Sequence, residues 1–362
     1  MSQSAPNRLD SVDALRGPTV AAMIFVNDPG NWAHLWWPFA HADWHGCTPT
    51  DLIFPTFLFL VGVSLALAGG PRRDAGADIT ALQRAWWWRA ARILLLGWAL
   101  AALIALTFGT HWRPFGVLQR IAICFSVVGW LYLHAAPRVR WAAWSALLIG
   151  YGLLLQASGD LGRDTSLPSR LDATLLGPFA YKYDAATGLG HEPEGLLSTL
   201  GALATTLLGT ACGDWLRQRR RRPIVLAGLV CAAAGLALHL AWLPMNKALW
   251  TPPFVLFTGG LAALALALAH TLVDRAGWPP LGRRFGINAI TAYAGSMLMV
   301  CLMNGVQVGG RTLHAWLAEG GLGWITPLAG PQAASHAYAL LQVLFWWGVL
   351  RWMDARRIRV SI

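Results

Sequence analysis

Residues 51–69 read "DLIFPTFLFLVGVSLALAG", in which Asp51 is the one charged residue and the eighteen positions after it carry none. A helix needs about 17 to 25 predominantly apolar residues to cross the hydrocarbon core of a bilayer, whereas a helix of a soluble domain returns a polar residue to the surface at every turn. The stretch therefore predicts a transmembrane helix, and the rest of the chain repeats it. Of 362 residues 56% are apolar and only 12% charged, with a mean hydropathy of +0.48, against about a quarter charged in soluble domains. Further apolar segments lie near 12–27, 86–108, 116–135, 141–157, 194–212, 223–243, 250–273, 285–305 and 334–353. The expected fold is an all-α membrane protein, about ten transmembrane helices in one bundle, with residues 1–362 as a single domain. The first segment carries Asp13, Arg16 and Pro18, so neighbouring helices should shield it from lipid.

Basic residues set the orientation. Twenty-one of the 28 Lys and Arg, including Arg8 in the N-terminal arm and the "RQRRRR" run at 217–222, fall on one side of this alternation, and seven on the other. By the positive-inside rule both termini and the basic run are cytoplasmic. The net charge of +11 is then a topology anchor, and no nucleic-acid partner is expected. Five cysteines, four of them in apolar segments, form no disulfide framework. No removable signal peptide is visible, so insertion through the first span is expected. Many of the 21 tryptophans stand near span ends, where indole suits the headgroup layer.

The connection after the first span, within "FVNDPGNWAHLWWPFAHADWHGCTPTDLIFP" (25–55), faces outward and holds three His, three Asp and two Asn without a Lys or Arg. The other uncommon polar residues, Gln119, Arg120, Glu194, Asn246, Lys247 and Asn304, join Asn27 and Asp51 at the outer ends of the spans. So many at one depth imply an outward-opening polar pocket, although any one could be a helix cap or a structural ion pair, Asp51 at the start of the second span included. Of the pocket groups, His41 and His45 titrate nearest neutrality. An imidazole can take a proton from an amine or attack an activated acyl group, and an amide such as Asn27 can orient the ring or donate to an oxyanion. Those parts suit acyl transfer. A metal site using His41, His45, Asp43 and Asp51 is disfavoured because "WHGCTP" breaks the helix and no standard ligand spacing follows, so no metal is expected. Residues 158–193, long and rich in Gly, Pro and Asp, should form an irregular extracytoplasmic loop that could cap the site. At the inner side, Arg89 and Arg92 share a helical face and could grip the phosphates of a cofactor, positive-inside anchoring being the plainer alternative. Asn288 lies near the inner end of the ninth span, where an interhelical hydrogen bond is the plain reading.

Seven blocks, "RLDSVDALRG" from 8, "FVNDPGNW" from 25, "HADWHGCTPTDLIFPTFLFLVGVS" from 41, "FGVLQRIAI" from 115, "EPEGLLSTLGALATTLLG" from 192, "LPMNKALWTPPFVLFTGG" from 243 and "FGINAITAY" from 285, occur in the order of the heparan-alpha-glucosaminide N-acetyltransferase family. The resemblance implies a polytopic acetyltransferase that takes acetyl-CoA from the cytoplasm and acetylates the amine of a glucosamine-type sugar across the membrane. It implies that His41, which precedes "A-x-W", is the active-site histidine and that Asn27 is associated with it. With Asp51 these form the expected catalytic set. Arg89, Arg92, Arg120 and Asn288 are expected on the acetyl-CoA side, and His45, Gln119, Glu194, Asn246 and Lys247 around the acceptor, with His45 dispensable. A bacterial inner membrane, a periplasm-facing catalytic loop, membrane lipid and a homodimer complete the expectation. The lysosomal member carries a luminal domain ahead of its membrane part, and "EPEG" at 192–195 stands where relatives often read "DPEG". Both leave the acceptor open. "VDALRG" and "RAAR" are also similar to family-3 acyltransferases, sugar O-acyltransferases whose active histidine lies in the first helix, where this chain has Asn27. A secondary transporter is the non-enzyme rival, disfavoured by the absence of repeated halves and of midplane polar groups.

Overall fold

Each of the ten apolar segments holds a helix. The computed structural model describes residues 9–360, so Arg8 lies outside the described residues. The helices run α1 Asp10–Asn27, α2 Ile53–Asp74, α3 Ile79–Phe108, α4 Val117–His134, α5 Pro137–Ser158, α6 Leu167–Leu176, α7 Ser198–Arg217, α8 Arg221–Ala241 and α9 Pro252–Ala269, which continues as a π-helical turn through Arg275. Then follow α10 Arg283–Ile287, α11 Ala289–Gly305, the short α12 Leu313–Ala315 and α13 Thr326–Ala329, and α14 Pro331–Ala355. Two small antiparallel hairpins, β1 Lys182–Asp184 with β2 Leu189–His191 and β3 Gln307–Val308 with β4 Arg311–Thr312, are the sheet found among the described residues.

Seven segments among the described residues are long and apolar enough to cross a membrane: Pro49–Asp74, Ile79–Phe108, Val117–His134, Pro137–Ser158, Arg221–Ala241, Pro252–Arg275 and Pro331–Ala355. They expose large apolar side chains such as Leu106 at 83% and Leu240 at 77%, which water would penalise and lipid does not. The chain is an integral membrane protein. Three helices fall outside the seven for visible reasons: α1 carries Asp13 and Arg16, α7 carries four threonines and three glycines, and α11 has 17 residues.

The chain forms two compact units, one holding Ala40–Ala263 and the other the chain as far as Phe39 together with Leu264 onward. In the first unit α2 and α7 pack backbone to backbone. A Cβ on Gly62 would lie 2.0 Å from the Thr206 carbonyl oxygen, and one on Gly209 would lie 2.1 Å from that of Phe59. The hydroxyls of Thr205, Thr206 and Thr210 turn back to carbonyls of α7 itself, at 3.2, 3.0 and 2.7 Å. Small residues at the seam and self-satisfied hydroxyls are how helices associate in lipid, where dispersion replaces the hydrophobic effect.

Residues 158–193 are more regular than their composition predicts, holding α6 and the β1–β2 hairpin. Pro168 stands in the first turn of α6, where its missing N–H costs nothing, and Gly177 ends the helix at φ 51. Asp184 accepts from the Ala186 N–H at 2.9 Å and from the Thr187 hydroxyl at 2.8 Å, which closes the hairpin turn.

In the other unit α1 packs on α10, α11 and α14. Asp13 is buried and pairs with Arg16 at 2.9 Å, and Asp10 pairs with Arg283 at 3.1 Å. Asp28, next after α1 and 6% exposed, has its carboxyl pushed up to about 7 by burial. The folded chain thus keeps a proton that the unfolded chain has already released, and stability falls as pH rises from the ordinary Asp value to about 7. Asp28→Asn should remove that slope, with a gain of up to about 4 kcal/mol above pH 7. Tryptophan-fluorescence melting of both proteins in detergent at pH 5 and pH 8 checks this; parallel pH dependences would refute it.

Candidate active site

The polar groups of the first unit converge on the loop that precedes α2. Thr48 enters a short 3-10 turn, Pro49–Leu52, that leads directly into that helix. Asp51 is fully buried there, and its two oxygens divide their work. Oδ2 accepts from the backbone N–H of Thr48 at 3.0 Å and of Ala42 at 3.1 Å, with the Thr48 hydroxyl 3.0 Å away, while Oδ1 lies 2.7 Å from Nδ1 of His41. The carboxylate both caps the turn and orients the imidazole. It can only accept, so Nδ1 carries the hydrogen and Nε2 keeps a lone pair. The His41 side chain is 45% exposed, which leaves it accessible.

Lys247 meets this pair from the turn between α8 and α9, with Nζ 3.1 Å from Nε2, 3.0 Å from Nδ1 and 3.6 Å from Asp51. Burial pulls the ammonium below the ordinary lysine range, against the opposing pull of Asp51 and Glu194. The turn that carries it is held hard. Asn246 Oδ1 accepts from the Leu249 N–H at 2.8 Å, the Asn246 N–H donates to Thr251 Oγ1 at 3.1 Å, and the Tyr151 hydroxyl donates to the Leu249 carbonyl at 2.6 Å. Trp250 then adopts φ 51, strained for a bulky residue, with its indole N–H donating to Thr205 at 3.0 Å.

Asn246 also donates to the Trp44 carbonyl at 2.8 Å and lies 3.4 Å from Nδ1 of His45. Burial and the neighbouring His239 lower His45 below the ordinary imidazole range, while the residue as a whole stays exposed. Cys47, pushed up to about 12 by burial and by Asp51, is no nucleophile. The His41 loop is stapled to the long outer loop: the Trp44 indole donates to the Leu161 carbonyl at 2.7 Å, and Arg163 donates to the Asp43 carbonyl and lies over the Trp44 ring.

A second cluster lies around the start of α7. Arg113 donates to Glu192 through Nε and Nη2 and to Glu194 at 3.1 Å. Burial pushes Glu192 up. Burial acts on Glu194 too but is outweighed by Arg113, Arg120 and Lys247, which hold it down. Arg120 is fully buried, donates to Ser198 and to the Gly195 carbonyl, and stacks 5.1 Å from the Trp250 ring. Its Nε and Nη1 have no protein partner. Gln119 sits against α3, its Oε1 2.9 Å from where a Gly97 Cβ would stand. A cleft of about 1060 Å³, whose walls include His111, Arg113, Asp164, Tyr181, Tyr183 and Asp184, adjoins this cluster.

The structure thus brings His41, Asp51, Lys247, Asn246 and His45 together, with Glu194 near enough to act on Lys247 electrostatically. Asn27, Asn288 and Asn304 belong to the other unit. There the Asn288 side chain donates to the Ile358 carbonyl at 3.3 Å and accepts from the Val360 N–H at 3.1 Å, and Asn304 donates to the Val300 carbonyl at 2.9 Å. Arg89 and Arg92 are exposed on α3, Arg89 5.4 Å over the Phe125 ring and Arg92 donating to the Trp88 carbonyl at 3.4 Å. Sequence reasoning missed Arg113, Glu192, Ser198 and the clamp on Trp250. Arg113 could have been found as one of the few basic residues on the Arg-poor side.

A family profile described as heparan-alpha-glucosaminide N-acetyltransferase, catalytic, matches residues 8–238. The heparan-alpha-glucosaminide N-acetyltransferase of Homo sapiens is 27% identical over 354 residues, covering 80% of this chain and 53% of its own length. That of Mus musculus is 26% identical over 357 residues, covering 81% and 54%. The chain therefore spans about half the length of the curated relatives it matches. With the profile extending over well more than half of it and enclosing His41, Asp51, Arg113, Arg120, Glu192 and Glu194, the chain belongs to the heparan-alpha-glucosaminide N-acetyltransferase catalytic family.

Proposed function

We propose that this chain is a transmembrane acetyltransferase that moves the acetyl group of cytoplasmic acetyl-CoA to the amine of an extracytoplasmic glucosamine-type sugar. The observation that carries the reading is the Asp51-oriented imidazole of His41, whose Nε2 is held available by the carboxylate at Nδ1. Two balanced routes use it. In one, Nε2 attacks the thioester carbonyl, the C–S bond breaks and CoA leaves as thiolate; the sugar amine then attacks the acetyl-imidazole, the Nε2–C bond breaks as the amide forms, and the amine's proton passes to the thiolate. In the other, the amine attacks the thioester directly while Nε2 takes its proton and passes it to the departing thiolate. In this reading Lys247, whose Nζ lies 3.1 Å from Nε2, donates to the oxyanion of either step. The cleft beside Arg113 is of a size to receive the sugar. In this reading ten helices cross a bacterial inner membrane, both termini are cytoplasmic, His41 faces the periplasm, and the protein works in lipid as a homodimer.

The test is mass-spectrometric detection of N-acetylated product when purified protein receives acetyl-CoA and a panel of amino sugars; no product from any acceptor sinks the reading. Single turnover with labelled acetyl-CoA and no acceptor separates the routes, since only the first leaves label on His41. Lys247→Met should lower kcat about 10- to 100-fold with a smaller change in KM, as expected for a donor that acts on developing charge. Initial-rate kinetics check this, and a pure KM effect would assign Lys247 to acceptor binding instead.

A further inference from the structure

The end of α7 that carries the basic run holds a second site, separated from Ser198 by about 24 Å of helix. Arg140, in the first turn of α5, is 6% exposed, lies 4.5 Å over the Tyr132 ring and donates through Nη2 to Asp214 Oδ2 at 3.0 Å. Its Nε and Nη1 are buried without a partner, and so is the indole N–H of Trp144. Trp144 follows Arg140 by four positions and shares its helical face. Both residues line one cavity of about 170 Å³, with Trp141, Trp215, Gln218 and Arg220 among its other walls.

Three buried donors at one cavity call for a ligand that only accepts hydrogen bonds. Asp214 also lines the cavity, but it does not serve. Its Oδ1 accepts from the Tyr132 hydroxyl at 2.6 Å and from Arg217 Nε at 3.0 Å, and its Oδ2 is taken by Arg140. Arg140, Arg217 and Arg220 leave the surroundings net positive, and the cavity admits a group the size of a phosphate. Phosphate oxygens are strong acceptors for guanidinium and indole N–H together. Trp141 packs edge-on to Trp144 at 5.5 Å and beside Trp215 at 6.0 Å, giving an aromatic wall for whatever the phosphate is esterified to.

We propose that this cavity binds a phosphate ester. The inference stands whether or not the acetyltransferase reading holds. The ester could come from an anionic phospholipid headgroup or from a nucleotide such as the 3′-phosphate end of coenzyme A, and two probes distinguish them. The full chain, purified in detergent, is titrated with adenosine 3′,5′-bisphosphate by calorimetry and examined by native mass spectrometry for retained phosphatidylglycerol. Each measurement is repeated on Trp144→Phe, which removes one donor and keeps the ring, and on Arg140→Gln. Whichever probe occupies the site should bind about 10- to 100-fold more weakly to each variant. If Arg140→Gln fails to fold because Asp214 loses its partner, Trp144→Phe still decides. Binding of neither probe, or equal binding to wild type and Trp144→Phe, overturns the proposal and leaves the cavity to water.

Discussion

His41→Ala should lower acetyl transfer by about 10³- to 10⁴-fold while leaving the protein folded. The side chain is nearly half exposed and contributes one hydrogen bond to Asp51 and one contact with Lys247, so its removal strands little inside the unit. Both routes lose their central group together: the neighbouring His45 meets Asn246 at 3.4 Å, whereas Asp51 orients His41. Asp51→Asn is the informative companion. The amide can still accept from the Thr48 and Ala42 N–H groups, yet it presents an NH₂ or a weaker acceptor to Nδ1 and no longer fixes the tautomer. A loss of about a hundredfold or more in kcat with a normal elution profile is expected. Product formation measured at saturating acetyl-CoA decides the matter; full activity in His41→Ala would remove the histidine from the chemistry even with the family intact.

The second large effect is on folding. Gly209→Val should prevent accumulation of folded protein, since its Cβ alone would come within 2.1 Å of the Phe59 carbonyl oxygen, and that atom is helix backbone that cannot step aside. Moving α2 and α7 apart would undo the seam that also positions Asp51 at one end of α2 and Ser198 at one end of α7. Fluorescence-detected size exclusion of the tagged variant should show aggregate where wild type gives a single symmetric peak. Gly305→Ala, where a Cβ meets nothing within 4 Å, serves as the tolerated control. A monodisperse Gly209→Val would mean that the seam is looser than its geometry implies.

The spanning helices were legible because a single property, unbroken apolar length, sets them. Residues 158–193 were not, because helix α6 is only ten residues long and lies among Gly, Pro and Asp that elsewhere end helices; its bounds are set by Pro168 and Gly177 acting locally. The site divides in the same way. Asp51, Asn246 and Lys247 stood out as polar residues at span ends and His41 as an imidazole in the polar first connection, and Asp51 could be read as a cap or as a partner of the chemistry. In the structure one oxygen caps the turn and the other meets Nδ1 of His41. Arg113 and Glu192 were hidden because they are 79 positions apart, and no periodicity links a residue at the end of one span to one at the start of another. The strain at Trp250 left no trace in composition, since it arises from the clamp formed by Asn246, Thr251 and Tyr151.

The staple between Trp44 and the long outer loop ties chemistry to access. Any motion that lifts residues 161–163 drags Trp44 and Asp43 with them, and His41 is only two positions before Asp43. In the proposed reading, lifting that loop would also carry His41 out of register with Asp51 and Lys247. Such an interlock would guard an energy-rich thioester against wasteful hydrolysis without a dedicated gate.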